Sequence, residues 1–418
     1  MNLFTYFILF TILLSFCIDL VSQILNLKHL TLELPKEFIN DISKEDYEKS
    51  QKYTKTKTKF SIISSSFDLI LFIIFWFLGG FNFLDIYLRM NFSNEIYLGV
   101  SYIGILLIAK TILDLPFSIY STFVIEEKFG FNKTTVKTFI IDIFKSTFLS
   151  VLIGIPLLGL ILYFFQYFGN NAWLYVWIST LAFSLILTYI APTWIMPLFN
   201  KFKPMEDGDL KNLIFEFAEK VNYPLKKIFI MDGSKRSTKS NAYFTGFGNN
   251  KRIVLFDTLV ENHSNNEILT ILAHEIGHFK KKHILKNMII SSIQSGFIFF
   301  LLGIFMYNSK LHEAFYMQNI YVYTSLIFFG MIYSPIGEII SIAFNILSRK
   351  YEFQADEFAV STTKLYNDFI NALKKLSVKN LSNLTPHPLY VFLNYSHPTV
   401  LERIRNINEL ERKNEFKK

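Results

Sequence analysis

The sequence predicts an α-helical, multi-pass membrane protein: seven transmembrane helices with a small cytoplasmic α/β cap. Three observations carry this expectation. The 418-residue chain is 51% hydrophobic, 17% aromatic and only 18% charged, with a mean hydropathy of +0.31; a soluble domain averages about 25% charged residues. The apolar residues gather into long runs. The net charge of +8 falls almost wholly on one side of those runs.

A helix needs about 20 mainly apolar residues to cross a bilayer. The runs 3–25, 62–81, 97–124, 147–168, 173–199, 287–306 and 322–347 each meet that length. The first run lacks a basic leader and a small-residue cleavage site, so it reads as a membrane helix rather than a signal peptide. Leu14-Ser15-Phe16-Cys17 faintly resembles a lipoprotein box, but Phe16 is too bulky for the position before the cysteine. With seven spans, the segments 26–61, 125–146, 200–286 and 348–418 share one side. They hold all of the 42 lysines and arginines except Arg89, Lys110 and Lys310. The positive-inside rule makes that side cytoplasmic and leaves the N-terminus outside and the C-terminus inside.

Within the runs, Asp68, Lys110, Asp114 and Glu338 are polar residues at membrane depth, where charge is costly and faces a bundle interior or water. Lys110 and Asp114, four apart, can pair on one helix face. They are either a structural ion pair or the lining of a hydrated cavity.

The composition also excludes classes. A chain this apolar is not disordered. A nucleic-acid binder concentrates basic charge on a polar surface, which the long apolar runs contradict despite a pI near 9.1. The single cysteine, Cys17, rules out an intrachain disulfide and a cysteine-based metal site. The richness in Phe, Ile, Lys and Asn fits an AT-rich genome and carries no functional signal.

The polar segments hold the cap. Segment 26–61 reads as a solvated link, helical in part. Leu210, Leu213, Ile214, Phe217, Ala218 and Val221 have helical spacing over 205–222. Lys227–Asp232 reads as a strand, and Gly233–Asn241 as turns. Residues 242–247 and 252–256 read as two strands around a Gly248-Asn249-Asn250 turn. Ser264 and Glu267 form a capping-box pattern, after which no proline interrupts the chain to the end of the sixth run. One helix is therefore expected to run from Ser264 into the membrane.

That helix carries His274-Glu275-Ile276-Gly277-His278, an H-E-x-x-H pattern. Residues four apart share a helix face, so His274 and His278 can bind one zinc ion, with Glu275 placed as general base on its water. A third ligand must come from elsewhere. Glu352 is the best candidate: it follows the seventh run as His278 precedes the sixth, and a hairpin of these two spans joins their cytoplasmic ends. Otherwise it is an ordinary helix charge. Asp356, one turn on, can orient a ligating histidine. Asn241 precedes an apparent edge strand, which can hold an extended peptide or be a plain strand start. His397 and Arg403 can donate to an oxyanion and hold a carboxylate, or simply belong to a proline-led helix start.

At these residues the sequence resembles the type I CaaX prenyl endopeptidases, integral-membrane zinc metalloproteases. The likeness rests on Asp232–Ser237, Ser240–Phe244, His274–His278, Ser348–Asp356, and His397-Pro398 with Arg403. It implies seven helices enclosing a hydrated chamber, with the zinc site at its cytoplasmic side. It implies His274, His278 and Glu352 as ligands of one zinc per chain and Glu275 as base. For Asn241, His397 and Arg403 it implies substrate or transition-state roles, and for Asp356 support of a ligand. Lys239 stands where the family often has histidine, and Thr399 where a second proline is common. The implied reaction is removal of the last three residues from a prenylated Cys-a-a-X protein.

The expected organisation is a five-span membrane region at 1–199, the H-E-x-x-H segment at 200–286, a helical hairpin at 287–347, and a C-terminal segment with the third ligand at 348–418. Expected partners are a peptide or protein substrate and the lipid bilayer, with no nucleic acid; a monomer is expected. The C-terminus shows no retrieval signal, which with the AT-rich bias favours a bacterial inner membrane over the endoplasmic reticulum. In a bacterium, without prenylated substrates, the same chemistry would serve membrane-protein quality control. A seven-helix transporter or non-catalytic scaffold would need neither the intact H-E-x-x-H nor Glu352.

Overall fold

The computed structural model describes residues 1–245 and 251–416; the expected turn at Gly248-Asn249-Asn250, with Lys417 and Lys418, lies outside the described residues. The N-terminal half is helical: α1 (Leu3–His29), α2 (Lys44–Phe77), α3 (Gly80–Arg89), α4 (Glu95–Tyr120), α5 (Val136–Tyr167) and α6 (Ala172–Ile190). Helix α4 continues as a π-helical turn at Ser121–Glu126, and α6 as one at Ala191–Ile195. The cap follows with β1 (Phe202–Pro204), α7 (Asp209–Lys220), β2 (Leu225–Met231), β3 (Ala242–Thr245), β4 (Lys251–Phe256), α8 (Asp257–Asn262) and α9 (Asn265–Lys280). Then come α10 (His283–Phe305), α11 (Ser309–Glu313), α12 (Val322–Thr363), α13 (Tyr366–Lys379), α14 (Pro388–Asn394) and α15 (Val400–Glu415).

Seven helices are long and apolar enough to cross a membrane, among the described residues: α1, α2, α4, α5, α6, α10 and α12. These are the seven runs read from the sequence. Large apolar side chains such as Ile108, Phe148, Ile186 and Ile293 stay exposed on them, a cost in water that a bilayer removes. The link 26–61 is mostly helical, because α1 runs to His29 and α2 starts at Lys44. Where span two leads to three and span six to seven, Trp76, Phe81, Phe315 and Phe328 form a dense aromatic core. Trp76 Nε1 donates to the Ala314 carbonyl at 2.8 Å, crosslinking that end.

Farther along the spans, Lys110 donates to Asp68 at 3.0 Å and to Asp114, yet all three side chains keep more than a third of their surface accessible. Ser15 likewise bonds Glu338 in an exposed setting. Of the two sequence readings of Lys110 and Asp114, the ion pair is present, extended by Asp68 of the neighbouring helix α2.

The cap is built around α9. Its start is fixed by the capping box, with the Ser264 amide donating to Glu267 Oε2 at 2.8 Å. One face of α9 packs Leu272 and Ile268 against Ile228, Ile253 and Leu255 of the sheet. Another packs Ala273 and Ile276 against Ala359, Phe369 and Ile404 of α12, α13 and α15. Burying each such Leu or Ile side chain contributes roughly 1.5–3 kcal/mol. The sheet order is β1-β2-β4-β3, with β2 and β4 parallel and both outer strands antiparallel to their neighbours. Strand β3 is thus an edge strand.

One expectation is corrected. The helix from Ser264 does not run unbroken into the membrane: α9 stops at Lys280, and α10 starts at His283. Lys282 sits in the left-handed region (φ +60°), with its amide bonded to the Phe279 carbonyl at 2.9 Å. That conformation costs a non-glycine residue roughly 1–2 kcal/mol. No proline or glycine marks the break; the packing of α9 in the cap and of α10 in the span imposes it.

Candidate active site

His274 and His278 project from the same face of α9, with their Nε2 atoms 3.2 Å apart. Opposite them lies α12, which extends from span seven into the cap without interruption. The two helices meet at Gly277, where a Cβ would lie 3.1 Å from the Ala355 backbone and 3.2 Å from Phe358 Cβ. This close approach brings Glu352, beyond the end of the span, to the histidines. Its Oε1 lies 3.2 Å from His278 Nε2, and its Oε2 lies 3.4 Å from His274 Nε2. The three side chains form a metal-competent group with donor atoms within 4.8 Å of one another.

Behind this group, Asp356 is fully buried and its Oδ1 lies 2.7 Å from His274 Nδ1. The Nδ1–H donates to the carboxylate, which leaves Nε2 as the ring nitrogen directed at Glu352. Arg403, in the first turns of α15, donates through Nε (2.9 Å) and Nη2 (2.6 Å) to Asp356. Its guanidinium is thus engaged with Asp356, whereas the sequence reading places it against substrate. Thr399 starts α15 as a capping box with Glu402 and so sets the position of Arg403.

The electrostatics follow from these contacts. Burial pushes the Glu352 carboxyl up, but His274, His278 and Arg403 hold it well below the usual carboxylate range. Burial likewise raises Asp356, while Arg403 and His274 outweigh it and keep that carboxyl ionised. For His274, burial and Arg403 push down, while Asp356 and Glu352 pull up, leaving it at about 9. Two carboxylates against one guanidinium leave the pocket net negative when the imidazoles are neutral, a setting suited to a dication. Glu352 Oε2 is buried without a hydrogen-bond partner. Such an orphaned acceptor needs a partner, and two imidazoles plus a carboxylate are a donor set that zinc accepts.

The group opens onto a cleft of about 320 Å³ lined by Glu275, His278, Glu352, His397 and Tyr243, Phe244 and Thr245 of β3, among others. His397 is exposed, with Nε2 3.4 Å from Glu352 Oε1 and Nδ1 3.0 Å from the Ser396 hydroxyl. The structure thus brings His274, Glu275, His278, Glu352, Asp356, His397 and Arg403 together. It leaves Asn241 outside the cleft lining: that side chain is exposed, and its Oδ1 accepts from the Ala242 amide at 2.8 Å.

The sequence reading missed His283. Its Nδ1 lies 3.1 Å from His278 Nδ1, and its Nε2 lies 2.9 Å from Gln354 Oε1. Its ring stacks on Tyr351 with centroids 4.0 Å apart. With Gln354 accepting from Nε2–H, His283 Nδ1 accepts from His278 Nδ1–H and turns His278 Nε2 toward Glu352. On an unbroken helix, a residue five positions on points about 140° away, given 3.6 residues per turn. The break at Lys282 reverses that.

Two histidines on one face of a cap helix, a carboxylate on the helix that continues a membrane span and a glutamate in the adjoining cleft make a metal-competent group of the kind an integral-membrane metalloprotease carries. Residues 23–201 match the family described as the CAAX prenyl protease N-terminal region with five membrane helices, and residues 204–411 match Peptidase family M48. The chain is 39% identical over 401 residues to an Arabidopsis thaliana CAAX prenyl protease 1 homolog, covering 93% of this chain and 94% of that one. It is 36% identical over 408 residues to the CAAX prenyl protease 1 of Saccharomyces cerevisiae, covering 91% and 90%. It also resembles the crystal structure of Ste24p from S. mikatae, with a TM-score of 0.92 and 35% identity over 98% of this chain and 100% of that one. The chain belongs to the M48 peptidase family, in its CAAX prenyl protease branch, and is a multi-pass membrane metalloendopeptidase.

Proposed function

We propose that this enzyme holds one zinc ion on His274, His278 and Glu352 and uses it to cut the last three residues from prenylated Cys-a-a-X proteins. The observation that carries the metal site is the Glu352 carboxylate set 3.2 and 3.4 Å from the two Nε2 atoms, with one buried oxygen that takes no hydrogen bond. The Cys-a-a-X substrate is supported by the names of the relatives. Zinc bound there supplies Lewis acidity, lowering the pKa of water and polarising a carbonyl.

The chain's own groups do the rest. The Glu275 carboxylate accepts a proton from the attacking water and passes it to the leaving amine. His397 Nε2–H donates to the oxyanion that develops on the scissile carbonyl. The open edge of β3 holds the peptide as an added strand, with Asn241 at its entrance. Arg403 and Asp356 hold His274 in the tautomer that ligation needs.

The partition of lysine and arginine supports a cytoplasmic cap, an external N-terminus and a cytoplasmic C-terminus. The plant and yeast relatives support the endoplasmic reticulum over a bacterial inner membrane. The test compares wild type with Glu275→Gln on a farnesylated and an unmodified Cys-a-a-X peptide, with zinc measured in both proteins. Cleavage of the farnesylated peptide by wild type alone, at equal zinc content, is expected. Equal cleavage by both proteins sinks the mechanism, and indifference to the prenyl group sinks the substrate.

A further inference from the structure

We propose that Lys239 is a positioning residue: its ion pair with Glu126 braces edge strand β3 against the membrane helices and so sets how substrate is held. The proposal rests on the reading of β3 as the peptide-holding strand. Lys239 stands three residues before β3. Its Nζ donates to Glu126 Oε2 at 3.1 Å and to the Tyr53 hydroxyl at 2.8 Å, and it lies 4.3 Å from the centre of the Phe131 ring. Glu126 closes the π-helical turn that continues α4, and Tyr53 belongs to the polar first half of α2. The Tyr53 hydroxyl donates to Glu126 Oε1 at 2.6 Å, so the three groups form a closed triangle.

The backbone around Lys239 is tied to the same region. The Lys133 amide donates to the Arg236 carbonyl at 3.0 Å, and the Thr238 amide to the Phe131 carbonyl at 3.2 Å. A buried apolar cluster of Tyr53, Ile125, Phe129, Phe131 and Leu381 packs around the pair. Lys239 retains 34% and Glu126 20% of side-chain exposure, so the pair is screened less than a surface one. On the cap side, the Lys239 carbonyl accepts from the Thr258 hydroxyl at 3.0 Å. The lead-in to β3 is therefore gripped by the membrane helices on one side and by the cap on the other.

An edge strand has a neighbour along one side only, so its placement depends on what grips its ends. The two large cores of the cap contain none of the side chains in the triangle. Loss of the Lys239 charge is thus expected to loosen β3 without unfolding the cap. Main-chain bonds from β3 to a peptide form in the ground state and persist in the transition state. Weakening them raises KM and leaves kcat nearly unchanged.

The test uses the full-length enzyme and compares wild type with Lys239→Ala and Lys239→Arg. It reads KM, kcat, zinc content and amide hydrogen exchange across residues 237–245. Lys239→Ala is expected to raise KM about fivefold to tenfold with kcat within about twofold, as loss of uniform binding does. Zinc content stays the same, exchange quickens, and Lys239→Arg recovers most of KM. Unchanged exchange in Lys239→Ala overturns the brace. Faster exchange with unchanged KM overturns the assignment of β3 to substrate, and the proposal with it. Loss of kcat together with zinc shows a role in the fold and also overturns it.

Discussion

Gly277 lies directly against the backbone of Ala355: a Cβ on the glycine would stand 3.1 Å from both the Ala355 Cα and its carbonyl oxygen. Backbone cannot move aside as a flexible side chain can. The glycine inside the H-E-x-x-H pattern therefore sets the spacing between the helix that carries the histidines and the helix that carries Glu352. Gly277→Ala is expected to destabilise the protein by about 1–3 kcal/mol, the usual cost of overpacking, and Gly277→Val by more. Both should lower the zinc content of purified protein, because separating α9 from α12 withdraws Glu352. A Gly277→Val enzyme with full zinc and a wild-type Tm contradicts this account.

Glu275 lines the cleft but lies outside the three-residue donor group. Glu275→Gln should keep the zinc stoichiometry and lose cleavage by about 100-fold to 10,000-fold, the range for a general acid–base group. Steady-state peptide cleavage beside elemental analysis checks both halves.

His283 touches His278 through Nδ1 and stacks on Tyr351. His283→Phe preserves the stacking and removes the hydrogen bond. It should weaken zinc binding by about 10-fold to 100-fold, as loss of a group that orients a ligand does. Competition with a chelator of known affinity measures this, and an unchanged affinity leaves His283 as packing alone.

Arg403 and Asp356 form a buried pair with two hydrogen bonds. Arg403→Leu leaves the buried Asp356 charge with His274 as its remaining partner and should cost up to about 3–5 kcal/mol of stability. Arg403→Lys keeps the charge but not the planar fork, so it should fold better than Arg403→Leu while still binding zinc less tightly than wild type. Thermal unfolding of the zinc-loaded proteins ranks the three; a Lys variant equal to wild type would show that charge alone suffices.

Removal of zinc with a chelator should abolish cleavage and leave most of the fold. The aromatic core around Trp76 and Phe315 and the sheet core around Ile253 and Leu255 contain none of His274, His278 and Glu352. Far-ultraviolet circular dichroism should change little, and added zinc should restore activity.

The seven spans, the side on which positive charge collects and the shared face of His274 and His278 were legible in the amino-acid order alone. Each is a local property: twenty apolar residues in succession, a charge between two runs, a spacing of four on a helix. Glu352 could be nominated as a partner because spans six and seven form a hairpin, but its distance to the imidazoles depends on how closely α9 meets α12 at Gly277. The break at Lys282 carried no proline or glycine to announce it, so His283 was hidden on the far side of an imagined continuous helix. Arg403 was expected in a substrate or transition-state role, and only the packing of α15 on α12 set its guanidinium on Asp356, 47 residues away. The side chain of Asn241, likewise, accepts from the Ala242 amide and does not line the cleft. The relations of Glu352 and Arg403 join elements distant in the chain, and the energy that selects them comes from close packing between helices rather than from any pattern along one of them.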